Sequence, residues 1–104
     1  MKENFIEYAK IFKALSDPKR LAVLDLLKDD EKCACVLQEE LHTTQSGLAY
    51  HMKVLCDAGI IDSWPVGKWT HYCISQTGCE EIVRILGRLT GTTKERKIQC
   101  FVED

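Results

Sequence analysis

A chain of 104 residues has the length of one small domain, and its apolar (45%) and charged (29%) shares are those of a folded globular protein rather than a disordered one. No apolar run approaches the roughly 18 residues that a membrane-spanning helix needs. The formal net charge of −2 withholds bulk attraction to nucleic acid, so any contact with a polyanion must come from local patches.

The N-terminal stretch MKENFIEYAKIF mixes charge with apolar residues and does not read as a signal peptide, so a cytoplasmic location is expected. Residues 3–15 set Phe5, Tyr8, Phe12 and Leu15 at helical spacing. Asp17 and Pro18 suit the N-cap and first position of a second helix over about 18–28, with Leu21, Leu24 and Leu27 on one side and Val23 and Leu26 widening it. A third, short helix from near Cys33 to Leu41 takes Val36, Leu37 and Leu41 as its apolar face. A fourth follows over about 45–57, capped by Thr43 or Thr44, with Leu48, Met52 and Leu55 inward and Gly59 just past its end.

The apolar period then shortens to two. Residues 60–64 and 69–74 predict the strands of a hairpin turning through Pro65-Val66-Gly67-Lys68. A last helix from about 78 to 90 carries Ile82, Ile85, Leu86 and Leu89. The tail, 91–104, is polar and is expected to fray. The order predicts a single winged helix-turn-helix domain over 1–104, mainly α with a β-hairpin wing (α+β). Its first and last helices have apolar surface to spare for a dimer interface.

With Leu48, Met52 and Leu55 inward, the fourth helix presents Gln45, Ser46, Ala49, Tyr50 and Lys53, with Thr44 at its N-terminus. Gln, Ser and Thr can bond base edges or phosphates, and Tyr50 and Lys53 suit the backbone. A plain solvated face would look similar. The short helix before it and the hairpin after it favour DNA reading, with Lys68 at the wing tip as a further contact. His51 reads as a helix-packing residue with a phosphate contact in reach. Trp64 and Trp69 read as packing residues, and Cys56 and Cys73 as core or semi-core.

Six cysteines without an export signal read as reduced thiols. Cys33 and Cys35 are two apart. On a regular helix they would face away from each other, about 200° apart, whereas in an extended segment they share a side. The expectation is therefore that a shared soft ion must loosen the first turn of the third helix, so that ion binding and DNA reading compete for one segment. The plain alternative is two half-buried structural cysteines.

The segments DPKRLAVLDLL, KCACVLQEEL, TQSGLAYHMKVLCDAGII and GKWTHYCIS resemble the ArsR/SmtB family of metalloregulatory repressors, over roughly residues 5–90. The resemblance implies a homodimeric winged-helix repressor of transcription, not an enzyme, that leaves double-stranded operator DNA when an inducer binds. Cys33 and Cys35 resemble the third-helix site of members that respond to trivalent arsenic and antimony. Some of those members carry a third thiol two residues after the pair; here that position is Leu37, and Cys100 in the tail is the alternative third ligand. A true two-thiolate site would suit a singly substituted organoarsenical. The N-terminal-arm thiols of cadmium and lead sensors have no counterpart before Cys33, and the last-helix Asp/His zinc site is missing from residues 78–104, which hold no His. Other readings on the same fold are a redox- or persulfide-responsive thiol switch and a sensor of another thiophilic ion such as cadmium or lead. A thiol enzyme would need a base near Cys33 or Cys35, and no His lies close in sequence.

Overall fold

The computed structural model describes residues 4–91. Five helices and a three-stranded antiparallel sheet form the winged helix-turn-helix that the sequence pattern predicts. Helix α1 (Phe5–Ala14) starts at Asn4, whose side chain accepts from the Glu7 amide at 3.1 Å. Helix α2 (Pro18–Leu27) starts at Asp17, whose carboxylate accepts from the Lys19 and Arg20 amides at 2.8 and 3.2 Å, with Pro18 in the first turn. Both caps satisfy amide groups that a helix cannot satisfy internally.

Strand β1 (Lys32–Cys33) leads directly into α3 (Ala34–Glu40). The turn to α4 (Gln45–Asp57) passes through His42, held at a positive φ of 51°. Thr44 Oγ1 then caps α4 by accepting from the Gly47 amide at 3.0 Å. Strands β2 (Ile61–Val66) and β3 (Trp69–Ile74) make the wing. Their link is two residues, Gly67-Lys68, with Gly67 at φ 62°, as a type II′ turn requires. Strand β2 thus starts one residue later and runs two residues further toward the turn than the sequence suggests, while β3 has the expected bounds. Pro65 is tolerated inside β2 because the strand order β1-β3-β2 puts it on an edge.

Helix α5 (Gln76–Thr90) starts two residues earlier than expected, on Ser75, whose hydroxyl accepts from the Gly78 amide at 3.1 Å. Gly78 lies so close to the segment leaving α4 that a Cβ there would fall 1.8 Å from the Gly59 carbonyl oxygen.

The core gathers Val23 and Leu27 of α2, Leu37 of α3, Leu48, Met52 and Leu55 of α4, and Ile60 and Ile61 at the start of the wing. The inward stripe of α4 is the one expected. On three other helices the expected stripe is rotated. Leu21 is 52% exposed while Arg20 is buried, Val36 is exposed, and Leu86 and Leu89 face outward beside the buried Ile85. With Phe5 and Ile6 of α1 and Val83 of α5, those last two leave large apolar side chains open on the two terminal helices.

Candidate functional site

Helix α4 presents its polar face as predicted. Gln45, Ser46, Ala49, Tyr50 and Lys53 are exposed, Thr44 stands at the N-terminus, and Lys68 lies exposed at the wing turn. Three of these groups are already engaged, Ser46 through its hydroxyl with Thr44 Oγ1 at 3.4 Å. Thr44 Oγ1 serves the cap, and the Lys53 ammonium sits 3.1 Å from Asp57 in an exposed i,i+4 pair. Such a pair contributes little, so exchanging Asp57 for a stronger anion is cheap.

His51 is half-buried and held from below. Arg20, 8% exposed, donates from NH1 to His51 Nδ1 at 2.9 Å and from Nε to the Ala14 carbonyl at 2.7 Å. A guanidinium only donates, so Nδ1 accepts and the proton of a neutral ring is on Nε2. One buried cation thus ties the end of α1 to the middle of α4. Nearby, Lys19 Nζ donates to the Leu41 carbonyl at 3.2 Å, at the C-terminus of α3. Sequence reasoning missed both roles. The available signal was that Arg20 falls in register with Val23 and Leu27, a charge on the side that proves to be buried.

The thiol pair differs from expectation. Cys33 is not in the first helical turn: it ends β1 and caps α3 in an extended conformation, φ −73°, ψ 147°. Its Sγ accepts from the Cys35 amide at 3.3 Å, and the Cys35 thiol donates to it across 2.6 Å. The two sulfur atoms therefore converge on one side without any unwinding of α3. The expected competition between a shared ligand and a regular first turn is removed, because the extended cap residue already supplies the shared side.

This geometry separates the two thiols electrostatically. The hydrogen bond from Cys35 lowers the Cys33 pKa below the ordinary thiol value, helped by the Cys35 and Val36 amides at the helix N-terminus and opposed by partial desolvation. The same bond raises Cys35, which holds the shared proton. Two exposed or half-buried thiols suit a soft ion and not magnesium or calcium. Among the described residues no third Cys, His, Asp or Glu joins them in a metal-binding group. Cys56, Cys73 and Cys79 lie elsewhere, half-buried, with their thiols pushed up by desolvation, in keeping with packing roles. Cys100 lies outside the described residues.

Strand β1 connects the pair to the wing. Lys32 pairs with Tyr72 and Cys33 with His71, on the strand that starts beside Lys68. His71 Nδ1 lies 2.9 Å from the Glu31 carboxylate and its ring 6.3 Å from that of Trp64. Cys33 therefore belongs at once to the helix-turn-helix, as a cap, and to the wing sheet, as a strand residue. From the sequence it is expected only in the first turn of the third helix, neither as its cap nor in the sheet.

Residues 17–63 match the family described as "Bacterial regulatory protein, arsR family". The chain is 34% identical over 88 residues to an uncharacterized HTH-type transcriptional regulator of Methanocaldococcus jannaschii, a match spanning 84% of this chain and 99% of that protein. It is 33% identical over 93 residues to an arsenical resistance operon repressor of Staphylococcus aureus, spanning 89% and 88% of the two chains. A homodimeric winged helix-turn-helix DNA-binding domain from Mycobacterium bovis superposes with a TM-score of 0.67 at 21% identity, over 82% of this chain and 76% of that one.

Proposed function

The chain belongs to the arsR family of bacterial regulatory proteins, and from that premise we propose that it is a repressor whose homodimer binds operator DNA and is released when trivalent arsenic or antimony binds Cys33 and Cys35. The observation that carries this reading is the convergence of two thiols at the cap of α3, the first helix of the DNA-reading unit. The arsenical resistance repressors among its relatives support the inducer class. Gln45, Ser46, Ala49 and Tyr50 meet the major groove in this reading. Thr44, His51, Lys53 and Lys68 engage the sugar-phosphate backbone. The apolar residues left open on α1 and α5 form the dimer contact.

Release follows from the double membership of Cys33. An ion held by both thiols fixes the Cys33 cap and the Cys35 rotamer, and through the Cys33–His71 rung it acts on β3 and the wing. The helix-turn-helix and the wing must present to one groove together, so a change in their relation lowers DNA affinity. By linkage, DNA lowers affinity for the ion by the same factor.

The test is operator binding by fluorescence anisotropy, using reduced protein with and without arsenite. Arsenite is expected to raise the operator Kd of the wild type by at least tenfold and to leave Cys33→Ser/Cys35→Ser unchanged. A double variant that still releases DNA with arsenite would move the inducer site elsewhere. Release by peroxide or persulfide alone would favour a redox switch on the same fold.

A further inference from the structure

Beside Cys35 the surface opens into a cleft of about 410 Å³, lined by Cys35, Gln38, Glu39, His42, Thr43 and Trp69. Its volume lies within the range of small-molecule sites. Trp69 is 43% exposed, an indole left open to solvent on the last rung before the wing turn, paired with Val66. The same indole walls a second, smaller cleft of about 120 Å³, which reaches Gln45 and Ala49 of α4 and Lys68 of the wing. One aromatic side chain therefore stands between the thiol pair and the proposed DNA-reading face.

Two thiols satisfy two of the three bonds of trivalent arsenic. Among the described residues no third ligand stands with them. An arsenic held by these two thiols alone carries a substituent on its third bond, and the open space on the Cys35 side is this cleft. We propose that the cleft is a subsite for the organic group of a singly substituted trivalent arsenical, an uncharged aryl group above all, with Trp69 as its aromatic wall. This rests on the reading of Cys33 and Cys35 as inducer ligands.

The chemistry is ligand exchange without redox. A monoaryl arsonous acid, ArAs(OH)2, meets the two thiols. Two As–O bonds break and two As–S bonds form. The thiol protons leave on the two hydroxides as two molecules of water, and arsenic stays trivalent. The aryl group stacks on or meets Trp69 edge to face, a contact that adds to the apolar area it buries. The Glu39 carboxylate on the cleft wall disfavours an anionic substituent.

The test compares phenylarsonous acid, methylarsonous acid and arsenite as probes, by titration of the reduced full-length chain. In the wild type the phenyl form is expected to bind on the order of tenfold more tightly than the methyl form. Trp69→Phe should keep most of that preference and Trp69→Ala should lose it, with arsenite affinity unchanged in both. An unchanged phenyl-over-methyl ratio in Trp69→Ala, with arsenite still bound, would overturn the subsite and leave the thiol site intact. Retained affinity for all three probes in Cys33→Ser/Cys35→Ser would instead remove the thiol reading on which the subsite rests. A second readout does not depend on truncating the indole. In Trp64→Phe, whose emission comes from Trp69 alone, phenylarsonous acid should change the fluorescence more than arsenite does, and equal responses would count against the proposal.

Discussion

Replacing Arg20 with Met removes the contacts that fix α4 from below. Arg20 is 8% exposed, and its guanidinium makes two short hydrogen bonds, to the Ala14 carbonyl at 2.7 Å and to His51 Nδ1 at 2.9 Å, plus a long one to the Lys13 carbonyl at 3.5 Å. Hydrogen bonds to a charged group contribute about 1.5–3 kcal/mol each, so the two short ones account for about 3–6 kcal/mol. Two effects offset part of this. A buried cation no longer has to be desolvated, and the flexible Met fills much of the vacated space. A net loss of about 2–4 kcal/mol remains, a large fraction of the roughly 5–15 kcal/mol that a small domain has in total. Urea unfolding at fixed protein concentration should show a lower midpoint at an unchanged m-value. In a double-mutant cycle with His51→Ala, the two changes should be less than additive by about 1 kcal/mol, because each removes the same bond. A loss under about 0.5 kcal/mol for Arg20→Met, the size of an ordinary surface change, would refute the claim that this cation braces the helix.

Gly78→Ala should destabilise the fold despite the better helix propensity of Ala. Its Cβ would fall 1.8 Å from the Gly59 carbonyl oxygen, and backbone must move, at a cost of about 1–3 kcal/mol or more that outweighs a propensity gain of about 1. Calorimetry should show the melting temperature falling, and a rise would mean that α5 does not approach the end of α4 so closely. Cys33 should be alkylated by iodoacetamide at lower pH than Cys56, Cys73 or Cys79, because the bond from Cys35 lowers its pKa while desolvation raises the other three. The sign follows from the thiolate being the nucleophile: a lowered pKa supplies thiolate earlier as pH rises, and a raised pKa later. Cys35→Ala removes the donor and should move the Cys33 profile to higher pH. Peptide-level mass spectrometry across the titration reads both, and a Cys33 profile that coincides with those of the half-buried thiols would contradict the geometry.

The order of elements was legible because three of the helices carry their own start signals. Asp17-Pro18, Thr44 and Ser75 all act as caps in the structure, and the change of period after Gly59 marks the wing. The bounds of α4 and its inward stripe are as read, since Leu48, Met52 and Leu55 form one unambiguous row. The α2 stripe was not legible. Leu21, Val23, Leu24, Leu26 and Leu27 offer apolar residues on several sides, and nothing local says that the row through Arg20, Val23 and Leu27 is the one that meets the core. On α5 Val83, Leu86 and Leu89 are exposed, and the proposed dimer supplies the reason they are apolar. Strand β1 was invisible because two residues have no period. Its pairing with Tyr72 and His71 is a tertiary fact. That strand ends at Cys33 and leaves it extended, which turns two thiols expected to point apart on a helix into a convergent pair.

The most direct test of the account is a titration of the reduced protein with arsenite, following thiolate-to-arsenic absorption and identifying the protected thiols by mass spectrometry at each point. Cys33 and Cys35 are expected to become protected together at one arsenic per subunit, in step with loss of operator binding, while Cys56, Cys73 and Cys79 stay reactive. Loss of operator binding while Cys33 and Cys35 remain open to alkylation would contradict it.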